Sequence, residues 1–202
     1  MSLTWSRHPN RRRLLLIGGC LLFVAAACGG AREATPDAGT AIPVYDPDTG
    51  LLQELRSDRD GDGTVDTVAR MDGTRIVHIE IDSDNDGQVD RREYYGPSDD
   101  RPEGIIERAE EFVGGTSRIR RWEFYEEGVL VRVEEDTTLD GQVDKWEAYE
   151  GGRLAMVELD LTGGGRPTRR LVYGADGSVV RVEADPDGDG HFEPVVPSGD
   201  AQ

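Results

Sequence analysis

A repeat with a period near 24 residues is the feature of this chain that most limits its fold. One full unit runs from Asp136 through an acidic loop to a short aromatic segment that ends at Tyr149. A glycine turn then leads into a second segment that ends at Leu159. Spacings of 24, 54, 24 and 25 residues separate the units, which begin at Asp58, Asp82, Asp136, Asp160 and Asp185. Periods of this length indicate stacked supersecondary units, each of which buries its edge against the next.

The long spacing of 54 residues contains a degenerate unit. Its segment GGTSRIRRWEFY aligns Trp122 with Trp146 and Tyr125 with Tyr149, but the acidic loop before it has been lost. The repeat therefore continues through this part of the chain without its acidic residues.

Alternating apolar residues predict that each unit is a β-hairpin. The second segments place apolar residues at every other position: Val77, Ile79, Ile81; Val129, Val131, Val133; Ala155, Val157, Leu159; Val180, Val182, Ala184. A period of two is typical of a half-buried strand, whereas a helix would scatter these residues around its axis. We therefore predict an all-β fold, an antiparallel meander of about eleven strands that forms an open or curled sheet. Only segment 105–112 (IIERAEEF) is also compatible with a short helix.

The opposite face of these strands is charged. A glutamate stands two residues before several loops, and stacking would place these residues in one like-charged column: Glu80, Glu134, Glu158 and Glu183. The intervening strands supply Arg70, Arg92, Lys145 and Arg170. We predict cross-strand ion pairs between the two sets.

The amino-acid composition limits the classes of function that this chain can have. The formal net charge is -18, only 36% of the residues are hydrophobic and 6% are aromatic. So little apolar mass argues against a large enzyme with a deep core. The negative charge argues against nucleic acid as a partner, since its backbone would be repelled, and favours cations.

Four units carry a nine-residue loop with acidic residues at alternate positions. Its first, third, fifth and ninth residues are the predicted metal ligands: Asp58, Asp60, Asp62, Asp66; Asp82, Asp84, Asp86, Asp90; Asp136, Thr138, Asp140, Asp144; Asp185, Asp187, Asp189, Glu193. Alternate carboxylates on a tight loop converge on one point, where a hard cation that takes six to eight oxygens can bind. Without a cation these carboxylates repel one another.

This pattern resembles the calcium loop of EF-hand proteins, including the glycine at the sixth position. Because helices do not flank it here, it is more similar to the loops of thrombospondin-type-3, dockerin and integrin-propeller proteins. The resemblance implies calcium, and magnesium fits less well because it prefers fewer carboxylates. Glu93 and Glu147, at the twelfth position, lie too far along an extended strand to reach the ion. The loop at Asp160 keeps one carboxylate and is predicted to be a plain turn, which is also the alternative for the other four.

The N-terminus has the order of a secretory signal peptide. Basic residues from Arg7 to Arg13 precede the apolar run 14–27. The sequence Ala25-Ala26-Ala27-Cys28 resembles the bacterial lipobox, which implies a lipid on Cys28 and attachment to a membrane of the cell envelope, the outer membrane in a Gram-negative cell. Cys20 is a competing lipobox cysteine, and a plain signal peptide cleaved after Ala27 is the other alternative.

These observations predict four regions. They are a lipoprotein signal peptide at 1–27, a flexible stalk at 28–44, a β-hairpin repeat domain at 45–194 and a disordered tail at 195–202. The predicted function is that of a non-enzymatic, lipid-anchored envelope protein whose calcium-stabilised repeats support the envelope or bind an unidentified macromolecule in it. The alternatives are a carbohydrate-active hydrolase that uses acidic residues and a scaffold that binds no ion.

Overall fold

The structure is a computed structural model that describes residues 41–195. The predicted signal peptide, Cys28, most of the stalk and residues 196–202 lie outside this range. The described chain forms thirteen strands: β1 Ala41–Tyr45, β2 Leu52–Ser57, β3 Thr67–Asp72, β4 Arg75–Ile81, β5 Arg91–Gly96, β6 Ile105–Phe112, β7 Ile119–Glu126, β8 Val129–Glu135, β9 Lys145–Glu150, β10 Arg153–Leu159, β11 Arg169–Tyr173, β12 Val179–Ala184 and β13 Glu193–Pro194. Residues 41–195 include no helix long and apolar enough to span a membrane.

All thirteen strands belong to one antiparallel sheet, and each pairs with its neighbours in sequence. Within 41–195 no strand contacts any strand beyond those neighbours, so the sheet is an open single layer and its ends do not meet. The predicted all-β meander is confirmed. Thirteen strands are present rather than about eleven, since the sheet includes β1, which begins at Ala41 inside the predicted stalk, and the two-residue β13. The segment 105–112 is strand β6, because its backbone pairs with both β5 and β7.

The buried apolar residues lie in one row across the middle of the sheet, which we call the central row. Its buried apolar members are Ala69, Ala109, Val133 and Val157. Between them, in register, stand Glu93, Glu123 and Glu147. A single layer has no second sheet to pack against, so burial comes only from the side chains beside each residue on the same face.

Each central-row glutamate lies between a base and a tyrosine of its own strand. The motif Arg/Lys-x-Glu-x-Tyr recurs at 91–95, 121–125 and 145–149. The tyrosine hydroxyls donate to the glutamates at 2.7 to 2.9 Å. Arg91 of β5 also extends over β6 and pairs with Glu123 of β7 at 2.8 Å. Lys145 pairs with Glu147 at 2.7 Å. The recurring motif is visible in the sequence, but the network it forms was not predicted, because the predicted ion pairs all lay on the other face.

On that other face the predicted cross-strand pairing is present at several positions. Arg92 pairs with Glu80 at 2.7 Å, and Arg170 pairs with Glu158 at 2.6 Å and with Glu183 at 3.5 Å. The remaining partners differ from the prediction. Arg70 pairs with Glu54, Glu134 pairs with Arg132 of its own strand, and Lys145 points to the central-row face. Side-chain direction alternates along a strand, so a shift of one residue moves a charge to the opposite face.

Every hairpin carries a β-bulge close to its turn. The register shifts once in each odd-to-even pair, namely β1–β2, β3–β4, β5–β6, β7–β8, β9–β10 and β11–β12. The shift leaves one extra residue on the returning strand, such as Val77, Val131 and Val180. Of the even-to-odd pairs, β6–β7 also has a shift. The tight turn between β7 and β8 places Glu127 at φ 49° and Gly128 at φ 77°. A bulge increases the local twist, so its repetition gives each unit the same geometry.

Candidate metal centre

All the acidic loops lie at one edge of the sheet. In an antiparallel meander, every connection from an even-numbered to an odd-numbered strand falls at the same edge, which we call the loop edge. Six loops occupy it in this order: 58–66, 82–90, 113–118, 136–144, 160–168 and 185–193. Successive loops are two strands apart, or about 10 Å.

The first residue of each acidic loop shapes the backbone. Asp58 is fully buried, and its two carboxylate oxygens accept hydrogen bonds from the backbone N–H of Gly61 at 2.6 Å and of Gly63 at 2.8 Å. Asp136 and Asp185 are also buried and bind the backbone in the same way through both oxygens. An oxygen that accepts these bonds keeps lone pairs available for a cation, since each carboxylate has about four.

The ninth residue caps the start of the loop in three of the four copies. Asp66 accepts backbone N–H bonds from Arg59 and Asp60, Asp90 accepts one from Ser83, and Asp144 accepts bonds from two residues of its own loop. Burial opposes ionisation of Asp66, but the Thr67 hydroxyl and these N–H groups hold its pKa below the usual value. In the last loop the ninth residue, Glu193, instead lies exposed in β13, opposite Ala184.

The loop 160–168 shows that this backbone shape does not require the other acidic residues. Its Asp160 accepts backbone N–H bonds from Thr162, Gly163 and Gly165 at 2.6 to 2.9 Å, and Thr168 replaces the ninth-position acid. These bonds, led by the one from the Thr162 backbone, lower the pKa of Asp160 to about 2. The first position is therefore structural in every loop, and the carboxylates at the third and fifth positions need a separate explanation.

In three loops the third and fifth carboxylates converge with the first. One oxygen from each residue lies within 4.8 Å of the others in three groups that could hold a metal ion: Asp58, Asp60, Asp62; Asp82, Asp84, Asp86; Asp185, Asp187, Asp189. The third and fifth side chains are exposed, and each accepts a backbone N–H from two residues ahead, with one further donor, the Asn85 amide, at Asp60 and Asp62. The fourth loop brings only two carboxylates to this arrangement, because Thr138 stands at its third position.

The loop 82–90 differs from the other three in the bonding of its first residue. Asp82 Oδ2 accepts the Gly87 N–H at 2.9 Å, but Asp82 Oδ1 is shielded from solvent and has no hydrogen-bond partner among residues 41–195. The fourth residue, Asn85, has φ 58° and also holds a shielded, unpaired side-chain oxygen. This loop therefore has carboxylate and amide oxygens that the described protein does not satisfy.

Loops 58–66 and 82–90 are joined directly. The Asn85 amide nitrogen donates to Asp62 Oδ2 at 2.9 Å and lies 3.4 Å from Asp60 Oδ2. A cavity of about 310 Å³ lies between the loops, and Asp60, Asp66 and Asp82 are among its lining residues. This contact between two loops was not predicted, because the repeat pattern describes each loop as a separate unit.

The twelfth-position glutamates lie away from the loops. Glu93 and Glu147 are members of the central row, where each accepts a tyrosine hydroxyl and pairs with the base two residues earlier.

Comparisons with known proteins identify no family for this chain. No protein-family profile matches the chain, and no curated protein matches it. Among solved structures, the chain is similar to a crystal structure of TarM, with a TM-score of 0.39 and 16% identity over 54% of this chain and 19% of that one. A mutant TarM from S. aureus, in complex with Fondaparinux, alpha-GlcNAc-glycerol and UDP, gives a TM-score of 0.39 and 15% identity over 57% of this chain and 21% of that chain. Accessory secretory protein 1,2 and 3 from Streptococcus pneumoniae gives 0.30 and 16% identity over 61% and 19%. The chain spans about a fifth of the length of these structures, and at these TM-scores the likeness does not extend to function.

Proposed function

We propose that this protein is a non-enzymatic scaffold of the bacterial cell envelope, and that calcium bound at its loop edge stabilises the sheet. The unpaired Asp82 Oδ1 is the observation that carries the proposal. A carboxylate oxygen removed from water is costly unless a donor or a cation compensates it. Two further carboxylates, Asp84 and Asp86, point to the same place, so a cation is the partner that this group of oxygens requires.

The number of carboxylates favours calcium. Calcium takes six to eight oxygen ligands at about 2.3 to 2.6 Å, so two ligands of one ion lie at most about 5 Å apart. The converging oxygens of the three groups lie within 4.8 Å of one another, which is compatible with that limit. Magnesium is usually bound by only one or two carboxylates and holds its water more strongly, so three converging carboxylates suit it less well. The exposed third and fifth carboxylates leave room for water to complete the larger shell of calcium.

The location in the envelope is a proposal that rests on the resemblance of 25–28 to a lipobox. A lipid on Cys28 would tether the sheet to a membrane through residues 29–40, which are mostly small or polar. Both faces of the single-layer sheet remain available, because no second layer covers either of them within 41–195. Such a surface suits a binding or supporting role, with an envelope macromolecule as partner.

A hydrolase on the same scaffold is the less favoured alternative. It needs two free carboxylates facing a bond to be cleaved. The buried glutamates outside the loops are instead engaged by bases and tyrosines, and these contacts hold the pKa of Glu123 and of Glu147 below the usual value although burial opposes this. Carboxylates fixed in the charged form by such partners serve structure better than general acid catalysis.

Calcium uptake by the Asp84→Asn variant tests the proposal. We expect the wild-type chain to bind calcium in equilibrium dialysis and the variant to bind fewer ions, because one of three converging carboxylates is lost. Asp99→Asn is the matched control, since Asp99 is exposed in the connection at the opposite edge of the sheet. Absence of calcium uptake by the wild type, or equal losses in the two variants, would refute the proposal.

A further inference from the structure

Each of the two loops at the loop edge that have lost the acidic pattern, 113–118 and 160–168, sends an arginine to the next acidic loop. The first is Arg118 of loop 113–118. Its guanidinium donates to the backbone carbonyl of Leu139 and lies 3.8 Å from Asp136 Oδ2. Asp136 is only 2% exposed, so this positive charge lies beside one of the most buried carboxylates of the sheet.

The second arginine makes the same backbone contact two loops further along the loop edge. Arg166 of loop 160–168 donates to the backbone carbonyl of Gly188 at 3.4 Å. Leu139 and Gly188 both occupy the fourth position of their acidic loops, and both have positive φ, 59° and 72°. The same type of side chain thus reaches the same backbone position of two different loops.

Within residues 41–195, the loop 82–90 receives no such arginine. On one side its neighbour is the acidic loop 58–66, to which it is joined by the neutral amide of Asn85. On the other side lies loop 113–118, where a Cβ at Gly115 would lie 3.6 Å from Asp86 Oδ2. In loop 58–66 the nearby base is Arg59, whose positive charge helps to lower the pKa of the capping residue Asp66.

We infer that Arg118 is a resident counter-cation, and that loop 136–144 holds arginine charge where loops 58–66 and 82–90 need a dissolved divalent ion. This inference rests on the proposed function and specifies which loops depend on calcium. A guanidinium a few ångström from a carboxylate offsets its repulsion with the other acids, and it also repels a second cation from the same place. Arg166 shares the backbone contact but contacts no carboxylate within residues 41–195, and loop 185–193 keeps its acidic triad, so the inference is confined to loop 136–144. The degenerate loop 113–118 therefore has a role, which is to supply the charge that makes its neighbour independent of calcium.

The test measures melting temperature and bound calcium in the full chain with Arg118→Gln, Arg118→Lys and Arg120→Gln. Arg120 is the matched control, because it is equally exposed, at 46%, and pairs with Glu111 rather than with a loop. In chelator, Arg118→Gln is expected to melt about 2 to 4 °C below wild type, the shift that follows from losing one modest interaction in a chain of this size. Millimolar calcium should restore most of that loss, and Arg118→Gln should bind one more calcium ion than wild type.

Arg118→Lys retains the charge and should bind as much calcium as wild type, as should Arg120→Gln. The inference is overturned if Arg118→Gln gains no calcium, or if its loss of melting temperature is the same with and without calcium. These outcomes are separable from those of the proposed function. If wild type binds calcium but Arg118→Gln gains none, the inference fails and the proposed function stands, whereas absence of calcium binding by wild type overturns both.

Discussion

At the residue scale, aspartate does two different jobs within a single nine-residue loop. At the first position its oxygens accept backbone N–H groups and fix the turn, as Asp58 and Asp160 do. At the third and fifth positions, as in Asp84 and Asp86, the carboxylate is exposed and accepts a single backbone N–H through one of its two oxygens. The first kind is stabilised by the fold, and the second kind needs a cation to offset mutual repulsion.

The first kind makes a prediction about pH. Backbone N–H groups lower the pKa of Asp160 from 3.8 to about 2, so its stabilising effect is nearly complete above about pH 4 and is lost as the pH falls through about 2. The difference in urea unfolding between the wild type and Asp160→Asn should therefore be largest at pH 6 and much smaller near pH 2. A difference that does not change with pH would contradict this role of the carboxylate.

The central row makes a prediction about stability. Glu123 is 8% exposed and accepts hydrogen bonds from Arg91, Arg121 and Tyr125. Substitution Glu123→Ala leaves these donors without their common acceptor, and we expect a loss of about 3 kcal/mol in the free energy of unfolding. Glu126→Ala, at the exposed end of the same strand, should change stability by less than about 0.5 kcal/mol in the same urea titration.

At the element scale, the unit of structure is a bulged hairpin closed by a short turn. Between β7 and β8 the chain turns at Gly128, whose φ is 77°, and a Cβ there would lie 3.1 Å from Ile105 Cγ1. Gly114 has ordinary φ, and a Cβ there would meet no atom within 4 Å. Only at Gly128, therefore, do the left-handed backbone and the nearby Ile105 side chain both disfavour a residue with a Cβ.

We expect Gly128→Ala to destabilise the protein by about 1 to 2 kcal/mol, because left-handed backbone is unfavourable for a residue with a Cβ. Gly114→Ala should be nearly neutral. Thermal unfolding of the two variants measures the difference, and equal effects would show that the turn is not fixed by its backbone conformation.

Much of this element could be predicted from the sequence, because side-chain alternation in strands such as Val129–Glu135 has a period of two. The strands at the two ends of the sheet could not be predicted from this alternation. β1 pairs through backbone groups that any residue has, and β13 is two residues long. The positions of the loops could also be predicted from the sequence. The arginine contacts between loops could not, because they join residues far apart in the chain. Arg166 and Gly188, for example, are separated by 22 residues.

At the scale of the whole molecule, a single layer of thirteen strands is held mainly by contacts between neighbours. Stability in such an array is close to a sum over units and their interfaces, so each part can open with its own free energy. A cation shared at the loop edge therefore acts locally, on the strands whose loops it holds, rather than on the whole sheet equally.

Hydrogen exchange with and without calcium is the measurement that tests this account most directly. We predict that calcium slows amide exchange in β2 to β5, which flank loops 58–66 and 82–90, and changes it little in β8 and β9, whose connecting loop is held by Arg118. Exchange that is unaffected by calcium throughout β2 to β5 would contradict the claim that divalent ions stabilise the loop edge.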